Sequence, residues 1–127
     1  MLPGMQFARE DCRSDYLIRA CDEGVITIGE QQYRHSLIVS PDRSPEQWRP
    51  ARAGELLRED FEPLRALQPE IVLIGTGTRL EFPSPSLTVT LLQAGIGVEV
   101  MDTAAACRTF NILLSEERRV VAALLLG

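Results

Sequence analysis

The fold of this chain is decided by one stretch, Gly95-Ile96-Gly97-Val98-Glu99-Val100-Met101-Asp102-Thr103-Ala104-Ala105-Ala106-Cys107-Arg108-Thr109-Phe110-Asn111. Its residues 97–101 predict a strand, and Asp102 or Thr103 then caps a helix that reaches about Leu114. Gly95, just before the strand, is typical of the position that ends a preceding helix. The stretch therefore predicts a helix end, a strand and a second helix with very short connections.

The same pattern extends over the longer segment from Pro69 to Leu126. Residues 70–74 are apolar and mostly β-branched, as in a parallel strand that is buried on both faces. Ser84-Pro85 predicts the start of a helix that runs to about Ala94, and residues 120–126 predict a last buried strand. We therefore expect a C-terminal parallel β-α-β-α-β unit, whose strands are joined by right-handed crossovers.

The N-terminal half predicts antiparallel strands that flank or face this unit. The turn Asp22-Glu23-Gly24 joins two short apolar runs into a hairpin, and Gly29 to Gln32 bend the chain. Trp48, the one large apolar residue of a proline-rich loop, is expected to hold that loop against the body. The predicted elements are strands at 16–21, 25–28 and 35–40, a loop at 41–53, and short helices at 53–58 and 61–67. Residues 1–127 are expected to form a single α/β domain with a loosely ordered lead-in at 1–15.

Composition and charge exclude several classes of protein. The chain has 45% hydrophobic and 24% charged residues, which is typical of a soluble globular domain. Its net charge of −5 argues against a nucleic-acid partner. No apolar run approaches the roughly 20 residues of a membrane-spanning helix. No secretory signal is recognised and the three cysteines are widely spaced, so we expect a cytoplasmic protein with free thiols.

The first candidate site is Gly75-Thr76-Gly77-Thr78, which follows a predicted parallel strand. Ligands bind at the carboxyl ends of such strands in open α/β sheets. The segment lacks the Gly-Lys-Ser/Thr of a phosphate loop and the third glycine of a dinucleotide fingerprint. The alternative is a tight turn that needs the positive φ that glycine allows.

The other candidates lie on the helix that follows Asp102. Asp102 itself is explained by capping, because a carboxylate accepts from free N–H groups at a helix start. Arg108 and Asn111 lie three residues apart and share one helix face, where they offer a recognition patch for an anion or a protein loop. The alternative for this pair is a solvated helix face with a local salt bridge.

Few residues point to catalysis or to a cofactor. His35 is the only histidine, and no Gly-x-Ser-x-Gly elbow or metal-spaced His/Cys cluster is present. Cys107 falls on the core side of its helix, which indicates a small hydrophobe rather than a nucleophile. We therefore predict no catalytic residue, no metal and no cofactor. A cryptic enzyme stays an alternative, because catalytic triads are set by geometry rather than by sequence.

The runs Gly95–Asn111 and Pro69–Gly77 resemble a family of domains of unknown function. That family includes small bacterial and archaeal proteins and the mitochondrial respiratory complex I assembly factor 3. The resemblance implies one compact domain in three layers, β/β/α, with mixed sheets and no catalytic residues. It also implies a set of candidate contact residues at the family's characteristic positions: Gly75, Thr76, Gly77, Asp102, Arg108 and Asn111.

Two hypotheses of function follow. In the first, which the resemblance implies, the chain is a non-enzymatic interaction protein with an unidentified protein partner, an assembly factor for a respiratory or membrane-associated complex. In the second, it is a small-molecule or anion-binding domain, or a cryptic enzyme, with a site near Gly75–Thr78 and Arg108/Asn111. A ligand site needs a pocket of a few hundred Å³ with converging polar groups, whereas an interaction surface needs exposed anchors. The sequence makes no prediction of the oligomeric state.

Overall fold

A computed structural model describes residues 16–126, which form two β-sheets surrounded by short helices. The strands are β1 (Ile18–Asp22), β2 (Val25–Ile28), β3 (Gln31–Tyr33), β4 (Leu37–Val39), β5 (Glu46–Gln47), β6 (Ile71–Gly75), β7 (Gly97–Met101) and β8 (Val120–Leu124). The helices are α1 (Glu62–Ala66), α2 (Pro85–Gln93) and α3 (Thr103–Ser115), preceded by 3-10 turns at Ala53–Glu55 and Arg58–Phe61. The predicted lead-in at 1–15 lies outside the described residues.

The small sheet is an antiparallel meander in the order β1-β2-β3. Its first turn is the predicted one, and Gly24 adopts the positive φ, +73°, that this turn needs. The predicted bend at residues 29–32 is confirmed for Gly29 and Glu30, which form the turn of a second hairpin, but it is wrong for Gln31 and Gln32, which belong to β3 and pair with β2. Gln31 and Gln32 are exposed on the last strand of this sheet, so no apolar alternation marks them as a strand.

The large sheet is mixed, in the order β5-β4-β8-β6-β7. β6 pairs in parallel with both β7 and β8, while β4 pairs antiparallel with β8 and with β5. All five residues of the central strand β8 are buried. The parallel unit predicted from the sequence is confirmed. The short strand β5 corrects the prediction of a continuous loop at 41–53, and only Leu37–Val39 of the third predicted strand pairs.

Three layers result from the strand order. The crossover through α2 leads outward from β6 to β7, and the crossover through α3 returns over β6 to β8. Right-handed crossovers in opposite directions place the two helices on opposite faces of the sheet. The predicted three-layer β/β/α arrangement is confirmed, and α3 shares the layer of the small sheet, with which it packs through β1.

The large sheet separates two hydrophobic cores. The first core lies between the large sheet, α3 and the small sheet: Ile18, Ile26, Ile28, Leu37, Val39, Leu73, Ala106, Cys107, Phe110, Leu114, Val120, Ala122 and Leu124. The second core lies under α1, α2 and the 3-10 turns: Ile38, Trp48, Leu56, Phe61, Leu64, Val72, Ile74, Leu91, Ile96, Val121, Ala123 and Leu125. Alternate residues of β8 contribute to the two cores, since successive side chains of a strand point to opposite faces.

Trp48 holds the proline-rich loop to the body, as the sequence predicts. Its side chain is only 3% exposed, and its Nε1–H donates to the Asp60 carbonyl at 2.9 Å. Next to it, the Arg49 guanidinium donates to both carboxylate oxygens of Asp60, each at 2.8 Å. These hydrogen bonds, together with one from the Leu57 N–H, lower the pKa of the Asp60 carboxyl. The loop is therefore attached by both an apolar and an ionic contact.

Helix α2 begins and ends close to the predicted positions. Gly95 follows it with a positive φ of +79°, as expected for the residue after a helix end. Ser84 occupies the capping position, but its hydroxyl lies 3.1 Å from the Ser86 hydroxyl and makes no capping bond. Among the helices of residues 16–126, none combines the length and the apolar character that crossing a bilayer requires.

Candidate functional site

Gly75 lies at the end of β6, where the first residues of α3 pass very close to the strand. A Cβ on Gly75 would lie 2.9 Å from both Cα and Oγ1 of Thr103 and 3.1 Å from Cδ2 of Leu124. Glycine is therefore required here by close packing. The expectation of a positive φ holds for Gly77, at +102°, but is wrong for Gly75, whose constraint is steric.

Thr103 joins the loop after β6 to the start of α3. Its Oγ1 accepts from the Gly77 N–H at 2.8 Å and donates to the Leu125 carbonyl at 2.6 Å, while its N–H donates to the Gly77 carbonyl at 2.9 Å. The side chain is buried, with 4% exposed. No pattern in the sequence predicted this role of Thr103. The available signal was a hydroxyl residue next to the capping aspartate, which is too common to be specific.

Thr76 organises the same loop from within. Its N–H donates to the Met101 carbonyl at 2.9 Å. Its hydroxyl donates to the Arg79 carbonyl at 2.6 Å, and the same hydroxyl oxygen of Thr76 accepts from the Glu81 N–H at 3.1 Å. Only 3% of Thr76 is exposed. The hydrogen-bonding groups of Thr76 are thus engaged within the protein and do not point to a ligand.

Asp102 caps α3, as the sequence predicts. Its Oδ1 accepts from the Ala105 N–H at 2.8 Å. With Gly77 and Thr78, it lines a concavity of about 240 Å³, to which Asp22 and Glu23 of the β1–β2 turn also contribute. Three carboxylates around one small concavity disfavour an anion by electrostatic repulsion.

Asn111 and Arg108 have different structural roles, although they share a helix face. The Asn111 amide pairs with both backbone groups of Ile18: its Oδ1 accepts from the N–H at 2.9 Å and its Nδ2 donates to the carbonyl at 2.7 Å. Arg108 is exposed and forms no ion pair within residues 16–126. The salt bridge considered for this face is therefore not formed among the described residues.

The six candidate residues do not form one site. Arg108 and Asn111 line a second concavity of about 220 Å³, which is separate from the one beside Asp102. The two concavities share Cys21 and Ala104, so they are neighbours along α3. Gly75 and Thr76 line neither of these two concavities. They belong instead to the buried contact between the end of β6 and the start of α3, which is called the junction below and also includes Gly77 and Thr103.

Cys107 lies in the first core, as the sequence predicts, with 3% exposed. Burial raises the pKa of its thiol strongly, and the neighbouring Cys21 thiol raises that pKa further. Cys107 is therefore neutral near pH 7, which disfavours a role as a nucleophile. Within the described part of the chain, no group of three or more His, Cys, Asp or Glu side chains is placed to hold a metal ion.

Comparison with known proteins identifies the family to which this chain belongs. A family model described as a protein of unknown function (DUF498/DUF598) matches residues 18–125. The match covers both sheets, all three helices and the junction between β6 and α3.

Two relatives have informative names. The NADH dehydrogenase (ubiquinone) 1 alpha subcomplex assembly factor 3 of Bos taurus is 34% identical over 119 residues, which are 92% of this chain and 64% of the relative. The chain thus spans less than two thirds of that relative. The 13 kDa major membrane protein of Francisella tularensis is 33% identical over 97 residues, which are 76% of this chain and 77% of that protein.

A solved structure shares the architecture. The crystal structure of a protein from Bordetella parapertussis superposes with a TM-score of 0.84 at 35% sequence identity. The superposition covers 88% of this chain and 96% of that one. The two-sheet arrangement is therefore common to this chain and to its relative.

Proposed function

We propose that this chain, which belongs to the family of proteins of unknown function DUF498/DUF598, is a non-enzymatic interaction protein. In this role it binds a protein partner and supports the assembly of a respiratory or membrane-associated complex, acting from the cytoplasm. The observation that carries the proposal is the alignment of 92% of the chain with a relative that is named an assembly factor.

The use of polar groups at the junction supports a scaffold rather than a reactive centre. The Thr76 hydroxyl donates to the Arg79 carbonyl, the Gly77 N–H donates to Oγ1 of Thr103, and the Thr103 hydroxyl donates to the Leu125 carbonyl. Asn111 holds β1 in place. These residues shape and stiffen the end of the sheet, and the partner is then recognised by side chains that the junction presents to solvent.

Arg108 is the side chain best placed for such a contact. It is exposed on α3 beside the concavity that it shares with Arg19 and Asn111. A guanidinium presents five donors in a planar fork that matches a carboxylate, and arginine is enriched among the residues that dominate binding energy at protein interfaces. We therefore assign the contact to Arg108 and the support beneath it to Asn111.

The small-molecule or anion-binding alternative has weaker support. The concavity beside Gly77 and Thr78 carries the carboxylates of Asp22, Glu23 and Asp102, so its charge opposes an anion. The concavity beside Arg108 and Asn111 measures about 220 Å³, which is below the 300–1,000 Å³ of most small-molecule sites.

Affinity capture from native lysate of the source organism tests the proposal, with bound proteins measured by quantitative mass spectrometry. We expect the wild type to retain a specific protein and Arg108→Ala to lose it with an unchanged melting temperature. Arg58→Ala is the matched control, because Arg58 is an exposed arginine of the 3-10 turn on the opposite face of the sheet. Equal retention by both variants, or no specific protein on the wild type, contradicts the proposal.

A further inference from the structure

Strand β7 forms an edge of the large sheet, and within residues 16–126 it pairs only with β6. At one end, the Gly97 N–H donates to the Glu70 carbonyl at 3.0 Å; at the other, the Met101 carbonyl accepts from the Thr76 N–H at 2.9 Å. Gly97 and Met101 therefore direct their peptide groups to the β6 side. This fixes which residues of β7 face the open side.

The open side of β7 is lined by the peptide groups of Val98 and Val100. In a parallel ladder, the N–H and C=O of one residue point to the same neighbouring strand, and successive residues point to opposite sides. Since Gly97, Glu99 and Met101 face β6, the two N–H and two C=O groups of Val98 and Val100 face away from the sheet. They form a row of donors and acceptors without a strand partner in residues 16–126.

The other strand edges are short or blocked. β5 has only two residues and follows Pro45, and β3 has three residues. At the edge of β1, the Asn111 amide satisfies the N–H and the carbonyl of Ile18, as a neighbouring strand would. By contrast, β7 has five residues and contains neither proline nor a basic residue. Among the strands of the described residues, β7 is the edge that remains available for pairing.

The side chains of β7 indicate the chemistry of an added strand. Val98 and Val100 are half-buried and pack on the second core. Apolar side chains of an added strand would therefore pack favourably when they lie opposite these two valines. Glu99 is exposed on the opposite face and forms no ion pair with any of residues 16–126. An opposite charge directly across from it would stabilise the pairing.

We propose that β7 binds an extended segment of a partner protein as a sixth strand of the large sheet. The segment places a basic residue opposite Glu99 and β-branched apolar residues on either side of it, next to Val98 and Val100. Backbone hydrogen bonds supply affinity in such strand addition, and the alternating side chains supply specificity. This inference rests on the proposed function in requiring a protein partner, and it adds a surface on the sheet edge that is distinct from Arg108.

A second copy of the chain is a poorer occupant. Antiparallel pairing of β7 with itself, centred on the strand, places Glu99 directly opposite the same residue of the other copy. Like charges in that position destabilise a sheet, and each chain also carries a net charge of −5. The charge pattern therefore favours a basic segment from a different protein.

A peptide titration followed by NMR tests the proposal on the whole protein. The probes are the blocked peptide Ser-Thr-Val-Arg-Val-Thr-Ser and its twin with Glu in place of Arg. We expect the Arg peptide to shift the amide resonances of Val98 and Val100 and to slow their hydrogen exchange. We expect it to bind roughly two- to thirtyfold more tightly than the Glu peptide.

Charge reversal separates edge pairing from general attraction of a cationic peptide. Glu99→Arg should invert the preference between the two peptides, whereas the matched change Glu46→Arg on the short edge strand β5 should leave it unchanged. Absence of shifts at β7, or equal effects of the two variants, overturns the proposal. Concentration-dependent shifts of Val98 in the protein alone, with dimers in sedimentation, also overturn it, because a second copy would then occupy the edge.

The titration does not depend on the lysate experiment. If Arg108→Ala retains every protein that the wild type captures, the proposed function fails while the peptide result at β7 is unaffected. If the peptides fail and the Arg108-dependent capture succeeds, only the strand-addition inference fails.

Discussion

Gly75 and Thr103 make the closest approach between a strand and a helix at the junction. We expect Gly75→Ala to lower the free energy of unfolding by about 1–3 kcal/mol, because overpacking of a filled contact forces backbone shifts. The distances of 2.9 Å from the added Cβ to Cα and Oγ1 of Thr103 leave no room for a methyl group. Urea denaturation measures the change.

Gly54→Ala is the control for this prediction. Apart from Gly54, its two neighbours in the chain and the backbone of its own turn, no atom of the described residues lies within 4 Å of the Cβ that this change would add, and Gly54 has no positive φ. Its stability should stay within about 0.5 kcal/mol of the wild type, as is usual for surface substitutions. An equally stable Gly75→Ala protein would show that α3 shifts away from β6 at little cost.

The hydrogen-bonding roles of single residues were predicted from the sequence only where the bond is local. Asp102 was predicted to cap α3 because the capping bond joins residues three apart in the chain. Asn111 was predicted to recognise a partner, yet its amide is bound to Ile18, which is 93 residues away. No local pattern contains such a pairing, so the sequence left Asn111 and Arg108 equivalent.

At the scale of elements, the Asn111 side chain links α3 to the edge of β1 by hydrogen bonds. We expect Asn111→Ala to destabilise the protein by about 1–3 kcal/mol, because it leaves the N–H and carbonyl of Ile18 without their partner. The loss of stability should be largest in the small sheet, β1–β3. Hydrogen exchange of the amides in the small sheet should therefore accelerate more than exchange in β6 and β8.

Arg108→Ala is the control on the same helix. The Arg108 side chain is exposed, so hydrogen exchange in the Arg108→Ala protein should match that of the wild type. Uniform acceleration in both sheets of Asn111→Ala would show instead that β1 is not held separately by this amide. The two variants thus separate the structural residue from the contact residue within one helix turn.

The sequence predicted elements well where a strong periodic pattern is present. Strands β6, β7 and β8 and helices α2 and α3 lie within one or two residues of the predicted bounds. β6 and β8 are continuous apolar runs because they are buried on both faces, whereas β7 lies between the helix-ending Gly95 and the capping Asp102. β3 and β5 were missed. Each is short and mostly exposed at the end of its sheet, so its pairing depends on a neighbour rather than on its own composition.

At the scale of the whole molecule, β8 couples the two cores. Val120, Ala122 and Leu124 lie in the first core, while Val121 and Ala123 lie in the second. The loss of β8 from the sheet would therefore expose both cores. We expect residues 16–126 to unfold as one cooperative unit, which agrees with the single domain predicted from the sequence.

Two probes, one in each core, test this cooperativity. Trp48, the only tryptophan, reports on the second core by its fluorescence. Cys107 reports on the first core by maleimide labelling in a Cys12→Ser/Cys21→Ser background. Burial raises the pKa of its thiol, so labelling near pH 7 requires unfolding, after which the pKa returns toward about 8.5.

The two transitions in guanidinium chloride should have the same midpoint. Separated midpoints would show that one core opens without the other and would divide the protein into two units. A control with all three cysteines replaced by serine fixes the background of labelling. Labelling of Cys107 in the absence of denaturant would contradict its protected position in the first core.

The sequence by itself determined the α/β class, the parallel unit at the C-terminal end and the capping of α3 by Asp102. These features follow from burial patterns and from contacts between residues that are close in the chain. Only the tertiary structure decided that Gly75 is required by Thr103, that Asn111 is occupied by Ile18 and that β7 is the open edge. Each depends on which distant segments are brought together when the crossovers close over the sheet, and no local pattern encodes that juxtaposition.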